Sequence, residues 1–124
     1  MNDLTSKRFK ESLEEAINLF NNQKWYEAHD AFEDIWNDLV GDERQIVQGI
    51  LQVSVSQYHL NKGNLNGAMI LIGEGLGRIR NKVSEDLEID LILLCNNLET
   101  LLNKLHSKMP LNQSDVPFLK KIKR

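Results

Sequence analysis

Two histidines, one glutamate, one tryptophan and two glutamines are the residues here whose types and spacing could do chemistry. His29 and Glu33 stand four apart, with Trp36 three further on, in the stretch WYEAHDAFEDIWNDLV from Trp25 to Val40. On a helix, at about 100° per residue, His29 projects about 40° from Trp25 and about 20° from Trp36, inside the apolar arc. Glu33 lies at the edge of that arc. Further along, Gln48, Gln52 and His59 repeat at spacings of four and seven and fall within about 40° of one another. Two imidazoles and a carboxylate can form a facial triad for a divalent metal, which makes His29, Glu33 and His59 the candidate ligands. The same groups could pair a histidine general base with an orienting carboxylate. A plainer reading is also available. Buried polar groups need partners, so His29 could bond Glu33 or a backbone carbonyl, the Trp36 indole a buried acceptor, and the glutamines a neighbouring helix. Neither HExxH nor the Glu-x-x-His pair of di-iron bundles occurs, and no serine or cysteine stands where a nucleophile would.

The elements that must position these residues read as helices. Both prolines come after residue 109, and no run alternates as a strand would. A first helix is expected from Thr5 to Asn22, with Phe9, Leu13, Ala16 and Phe20 as its apolar stripe. The second holds Trp25 to Val40 and is closed by Gly41; its wet face carries Glu27, Asp30, Asp34 and Asp38. Asp42 then reads as the N-cap of a third helix, Glu43 to Asn61. Its segment QIVQGILQVSVSQYHLN runs 17 residues without a charged side chain, so it should be surrounded on most sides. A fourth helix runs from Leu65 to Val83. Gly73, Gly75 and Gly77 alternate through it, best explained by close approach of another helix. Ser84 can cap a fifth helix, in which Leu87, Leu91, Leu94, Leu98, Leu101 and Leu105 form a heptad-like seam; His106 near its end suits the helix dipole. Ile92, Leu93 and Leu102 add apolar surface beside that seam, as partial burial in a dimer would require. From Pro110 the chain is irregular, with Val116-Pro117-Phe118-Leu119 as a docking segment.

Length and composition set the frame. With 124 residues, 27% of them charged and 41% hydrophobic, the chain fits one domain. Net charge is −3, which gives no electrostatic footprint for nucleic acid. Residues 1–62 carry 11 acids against 6 bases, and the bases collect at the end, in Lys120, Lys121, Lys123 and Arg124. One cysteine, Cys95, excludes an internal disulfide and reads as an inert buried thiol. There is neither a signal-peptide core nor a stretch able to span a bilayer, so a cytoplasmic location without membrane contact follows by elimination. A weak echo aligns QKWYEAHDAFEDIW with KGNLNGAMILIGEGL at an offset of 40, matching Ala28 to Ala68 and Trp36 to Leu76. That period is similar to helical hairpins of the tetratricopeptide kind.

The pattern of His29, Glu33 and Trp36 (HxxxExxW), Gln48-Gly49, Gln52, Tyr58-His59, Gly63-Asn64 and Gly67-Ala68 resembles the domain of unknown function 309 family, over about residues 16 to 80. The resemblance implies a small all-helical bundle and supplies no activity. The expected fold is therefore all-α: a compact five-helix bundle of two helical hairpins resembling tetratricopeptide-type repeats, a fifth capping helix and an irregular tail. Residues 1–109 form the helical domain, and 110–124 a tail packed on it or partly flexible. The favoured function is a binding or scaffold module with a polar His/Glu/Gln seam between the second and third helices. It acts on a protein partner or on a second copy of itself, with no cofactor. The alternative is a small metal-dependent or acid/base enzyme using His29, Glu33 and His59.

Overall fold

The uncharged segment that separates Arg44 from Lys62 becomes the middle of the molecule. In the computed structural model, which describes Leu4 and residues 6–122, five helices follow in order: α1 (Lys7–Asn21), α2 (Trp25–Trp36), α3 (Gly41–Asn61), α4 (Leu65–Ile79) and α5 (Leu91–His106), with a short 3-10 turn at Gln113–Asp115. Each helix packs chiefly on its neighbours in sequence, α3 most extensively, against α2 on one side and α4 on the other. Being enclosed twice, α3 buries Ile46, Val47, Ile50 and Val53 together with Ser54, Ser56 and Gln57. The two serine hydroxyls meet their hydrogen-bonding need inside the helix, donating to the Ile50 and Val53 carbonyls.

The turns after α1 and α3 close in the same way. Gln23 and Gly63 both adopt positive φ, +61° and +82°. The N–H groups of Lys24 and Asn64 reach back to the Leu19 and His59 carbonyls, while those of Gln23 and Gly63 reach Phe20 and Leu60. This double bond pattern is a Schellman ending. A third copy closes α5, where Lys108 sits at φ +55° and Met109 N–H reaches the Lys104 carbonyl. Ala28 and Ala68 are both fully buried. A left-handed conformation strains any residue with a Cβ, and Gln23 lacks the glycine that relieves the matching position. Gln23→Gly is therefore expected to stabilise the protein by about 0.5–1 kcal/mol, read as a higher denaturant midpoint at unchanged slope.

Several boundaries differ from the sequence expectation. Ser6 caps α1 by accepting from the Phe9 N–H, and Thr5, where the helix was expected to begin, lies outside the described residues, as do Lys123 and Arg124. Helix α2 stops at Trp36, four residues early. Gly41 takes a positive φ of +64° and opens α3 rather than closing α2, which places Asp42 in the first turn instead of at the cap. Helix α4 ends at Ile79, since Arg80 has left the helical region and Asn81 is left-handed. The fifth helix starts at Leu91 under an Asp90 cap, while Ser84 accepts only a long bond from Leu87 N–H in a loop. The leucine seam holds from Leu91 to Leu105; Leu87 reaches the core from outside the helix. Cys95 is half-buried beside that seam, and burial pushes its thiol above its usual range against the opposing pull of Arg80.

The cause of the late start is the tail. Residues 88–90 pair with residues 120–122: Asp90 N–H donates to the Lys120 carbonyl, Ile122 N–H donates to Glu88, and Ile89 and Lys121 form an antiparallel bridge. Asn21 grips the Leu119 backbone through both its side-chain oxygen and its side-chain nitrogen. Leu119 and Pro117 are buried, whereas Phe118 is exposed. Asp115 pins the approach, accepting from the Asn112 N–H at 2.9 Å with Lys104 Nζ at 2.9 Å. The Asn112 bond foremost, and Lys104 next, hold its carboxyl below the ordinary 3.8. A depressed pKa means stability that is present above the unfolded value and lost as pH falls below it. Asp115→Asn is thus expected to melt lower than the parent at neutral pH, with the gap closing in acid below about pH 3.8.

Candidate functional site

Helices α2, α3 and α4 enclose a shallow groove of about 240 Å³, lined by His29, Glu33, Trp36, Gln48, Leu51, Gln52, Val55 and Leu71. It brings together five of the six residues singled out by spacing. Its floor is α3, which can be uncharged because it is flanked on both sides; α2 forms one wall and α4 the other. His29 keeps 32% of its side chain exposed, with Nδ1 3.3 Å from Asp30 Oδ1 and Nε2 3.8 Å from Glu33 Oε2. Glu33, 54% exposed, stands at the rim. The imidazole faces the same opening as both glutamines, and its nearest ionic partners are the carboxylates of its own helix.

The polar bonds of α3 run towards α4. Gln52 donates to Glu74 Oε1 at 2.8 Å and accepts from Arg78 Nε at 2.9 Å, while Arg78 also donates to Gln45 Oε1 at 2.8 Å. Gln45, Glu74 and Arg78 were missed by sequence reasoning. The signal available was the i, i+4 step from Glu74 to Arg78, but nothing in one sequence aligns it with α3. Gln48 makes no side-chain hydrogen bond to any described residue, so its amide is uncommitted within the groove.

Trp36 departs from expectation. Its indole Nε1 is buried with no acceptor among the described residues. The ring is instead covered by the Arg44 guanidinium, 3.8 Å from its centroid, and Arg44 is in turn tied to the Leu39 carbonyl at 3.1 Å. That stack is worth about 0.5–2 kcal/mol, and it joins the start of α3 to the end of α2.

His59 is not part of the groove lining. It shares the face of α3 with Gln48, but 11 residues separate them, about 16 Å along the axis. Its Nδ1 lies 3.2 Å from Asn64 Nδ2, while Asn64 Oδ1 accepts from the Gly67 N–H and caps α4. A Cβ on Gly67 would come within 2.6 Å of that Asn64 side chain. His59, Gly63, Asn64 and Gly67 together thus build one turn. Among the described residues, no group of three or more His, Cys, Asp and Glu side chains gathers so as to hold a metal ion; the His29, Glu33 and His59 triad is not assembled. A roomier cavity of about 550 Å³ opens between α1 and α2, with Arg8, Glu15 and Asp34 on its walls, and it contains none of the six residues.

Comparison with known proteins gives one match. The family model described as a domain of unknown function (DUF309) matches residues 13–71, which include α2, all of α3 and the groove residue Leu71. No curated protein and no solved structure matches the chain.

Proposed function

We propose that this chain, which belongs to the DUF309 family through residues 13–71, is a binding module that receives a segment of a protein partner in the groove between α2, α3 and α4. One observation carries the reading: the polar residues at the groove exceed what the fold uses. Gly49, His59, Asn64 and Gly67 each serve a helix contact or a cap, whereas the Gln48 amide is left open beside His29 and Glu33. Groups of that kind fix the register of a peptide backbone. The repeated Schellman turns support reading the two hairpins as tetratricopeptide-like. The enzyme reading has less support, because its third residue, His59, is engaged with Asn64. Self-association would use another face, where Ile92 on α5 is 78% exposed. The reading keeps the protein in the cytoplasm and apart from nucleic acid. Among the described residues, no helix is long and apolar enough to cross a membrane.

Peptides selected by phage display on the intact protein test the proposal. Gln48→Trp fills the groove from a partly exposed position, and circular dichroism checks that the helices persist. The selected peptides are expected to bind this variant at least about tenfold more weakly, a loss of about 1.4 kcal/mol. Equal binding to both forms would rule the groove out.

A further inference from the structure

The stripe of α2 that holds the groove residues His29 and Glu33 continues outside the groove's lining through Asp30 and an aromatic step at Tyr26. Tyr26, His29, Asp30 and Glu33 follow one another at i, i+3, i+4 and i+7 along a single stripe, about 10 Å long. Tyr26 is 66% exposed. Its ring lies 6.3 Å from that of Tyr58 on α3, so the aromatic step bridges the two helices outside the groove's lining. The chain's own cation there, Lys62, sits 5.5 Å from the Tyr58 centroid, which leaves the Tyr26 face open. On this stripe the Asp30 and Glu33 carboxylates are 64% and 54% exposed, and the two cations that touch the groove's lining are already engaged, Arg44 over the Trp36 ring and Arg78 with Gln52 and Gln45. An exposed acidic stripe whose neighbouring cations are already engaged selects a further cation.

We infer that the segment taken up by the groove is basic, with an arginine or lysine side chain laid on the Tyr26 ring and its charge met by Asp30 and Glu33. This rests on the proposed groove function and adds the chemistry of the partner. A planar guanidinium suits both demands at once, since it stacks on an aromatic face while it bonds carboxylates. The peptide backbone alongside then falls to Gln48.

Fluorescence anisotropy of the full chain tests this with three short labelled peptides of one design: Arg, Leu and Ala; Glu in place of Arg; and Gln in place of Arg. The arginine peptide is expected to bind, and to weaken as salt is raised. Asp30→Asn combined with Glu33→Gln should reduce its affinity by roughly tenfold, and Tyr26→Ala by roughly threefold. Glu11→Gln with Glu14→Gln, which removes equal charge from α1, should leave it nearly unchanged. Equal losses from the α1 and α2 pairs would overturn the inference, because general charge attraction would explain them. Binding of the glutamate or glutamine peptide alone, abolished by Gln48→Trp, would overturn it and leave the groove reading intact. Silence from all three peptides overturns it too, with the groove reading still decided by the phage selection.

Discussion

Replacing Phe20 with alanine is expected to remove about 3–5 kcal/mol of stability, the largest effect of any single substitution considered. The ring is fully buried where α1 meets α2, edge-on to Trp25 at 5.0 Å between centroids and to Phe32 at 6.4 Å, with interplanar angles of 88° and 87°. Truncation loses the transfer energy of the ring and leaves a hole bounded by two large side chains that cannot both collapse into it. With total stabilities of about 5–15 kcal/mol typical of such domains, the variant would sit near its unfolding midpoint under mild denaturant. Urea titration gives the number, and an unchanged slope would show that the native and unfolded states are otherwise alike. Phe20→Leu with Trp25→Leu in a double-mutant cycle should return about 0.5–1.5 kcal/mol of coupling, the share owed to the edge-to-face geometry. A loss below about 1 kcal/mol for Phe20→Ala would mean that α1 is held by something else.

Gly75→Ala is expected to cost about 1–3 kcal/mol, although alanine is the better helix former. At Gly75 a Cβ would stand 2.8 Å from the Gly49 carbonyl oxygen and 3.0 Å from Val53 Cγ2; at Gly49 it would stand 2.6 Å from Ile79 Cγ1 and 2.8 Å from the Gly75 carbonyl oxygen. Because two of these neighbours are backbone atoms, the clash is relieved only by moving α3 and α4 apart along their whole contact. Gly73→Ala and Gly77→Ala meet nothing within 4 Å, so each should instead gain up to about 1 kcal/mol from helix propensity. The opposite signs within one helix separate close packing from composition. Gly49→Ala together with Gly75→Ala should cost less than the sum of the two, since one separation of the helices makes room for both. Thermal melts of the four single variants and the double would read this out.

The glycines also show how far the sequence could be read. Alternation at Gly73, Gly75 and Gly77 pointed to a close helix contact, yet only Gly75 makes it, and its counterpart Gly49 is visible only once α3 and α4 are aligned. Periodicity is local and does not carry the register between helices. The same limit explains Gln52, whose polar surroundings were foreseen while its partners Arg78 and Glu74, on another helix, were not. It explains His59 as well: its angular position on α3 was right, but helical projection discards distance along the axis. Trp36 was expected to find an acceptor for its N–H, and it met a cation over its ring, a choice made by Arg44 across the α2–α3 turn. The boundary errors have a different origin. Ser84 and Asp90 are both competent caps, and Leu87 keeps the leucine spacing, so nothing local favours the later start. The tail decides it, by pairing residues 120–122 with residues 88–90 some thirty positions upstream. What the sequence carried plainly was the element types, the enclosure of α3, the leucine seam of α5 and the five residues that meet at the groove.

The side-chain amide of Gln48 offers the most direct test that this groove is where a partner binds. Its NMR signal can be followed while a peptide selected on the intact protein is added, alongside the indole N–H of Trp36 and the amides of Asn21 and Asn97 elsewhere in the fold. The account expects the Gln48 and Trp36 signals to move together and saturate with the binding curve while Asn21 and Asn97 stay in place. A saturating peptide that shifts Asn21 or Asn97 and leaves Gln48 where it was would contradict it.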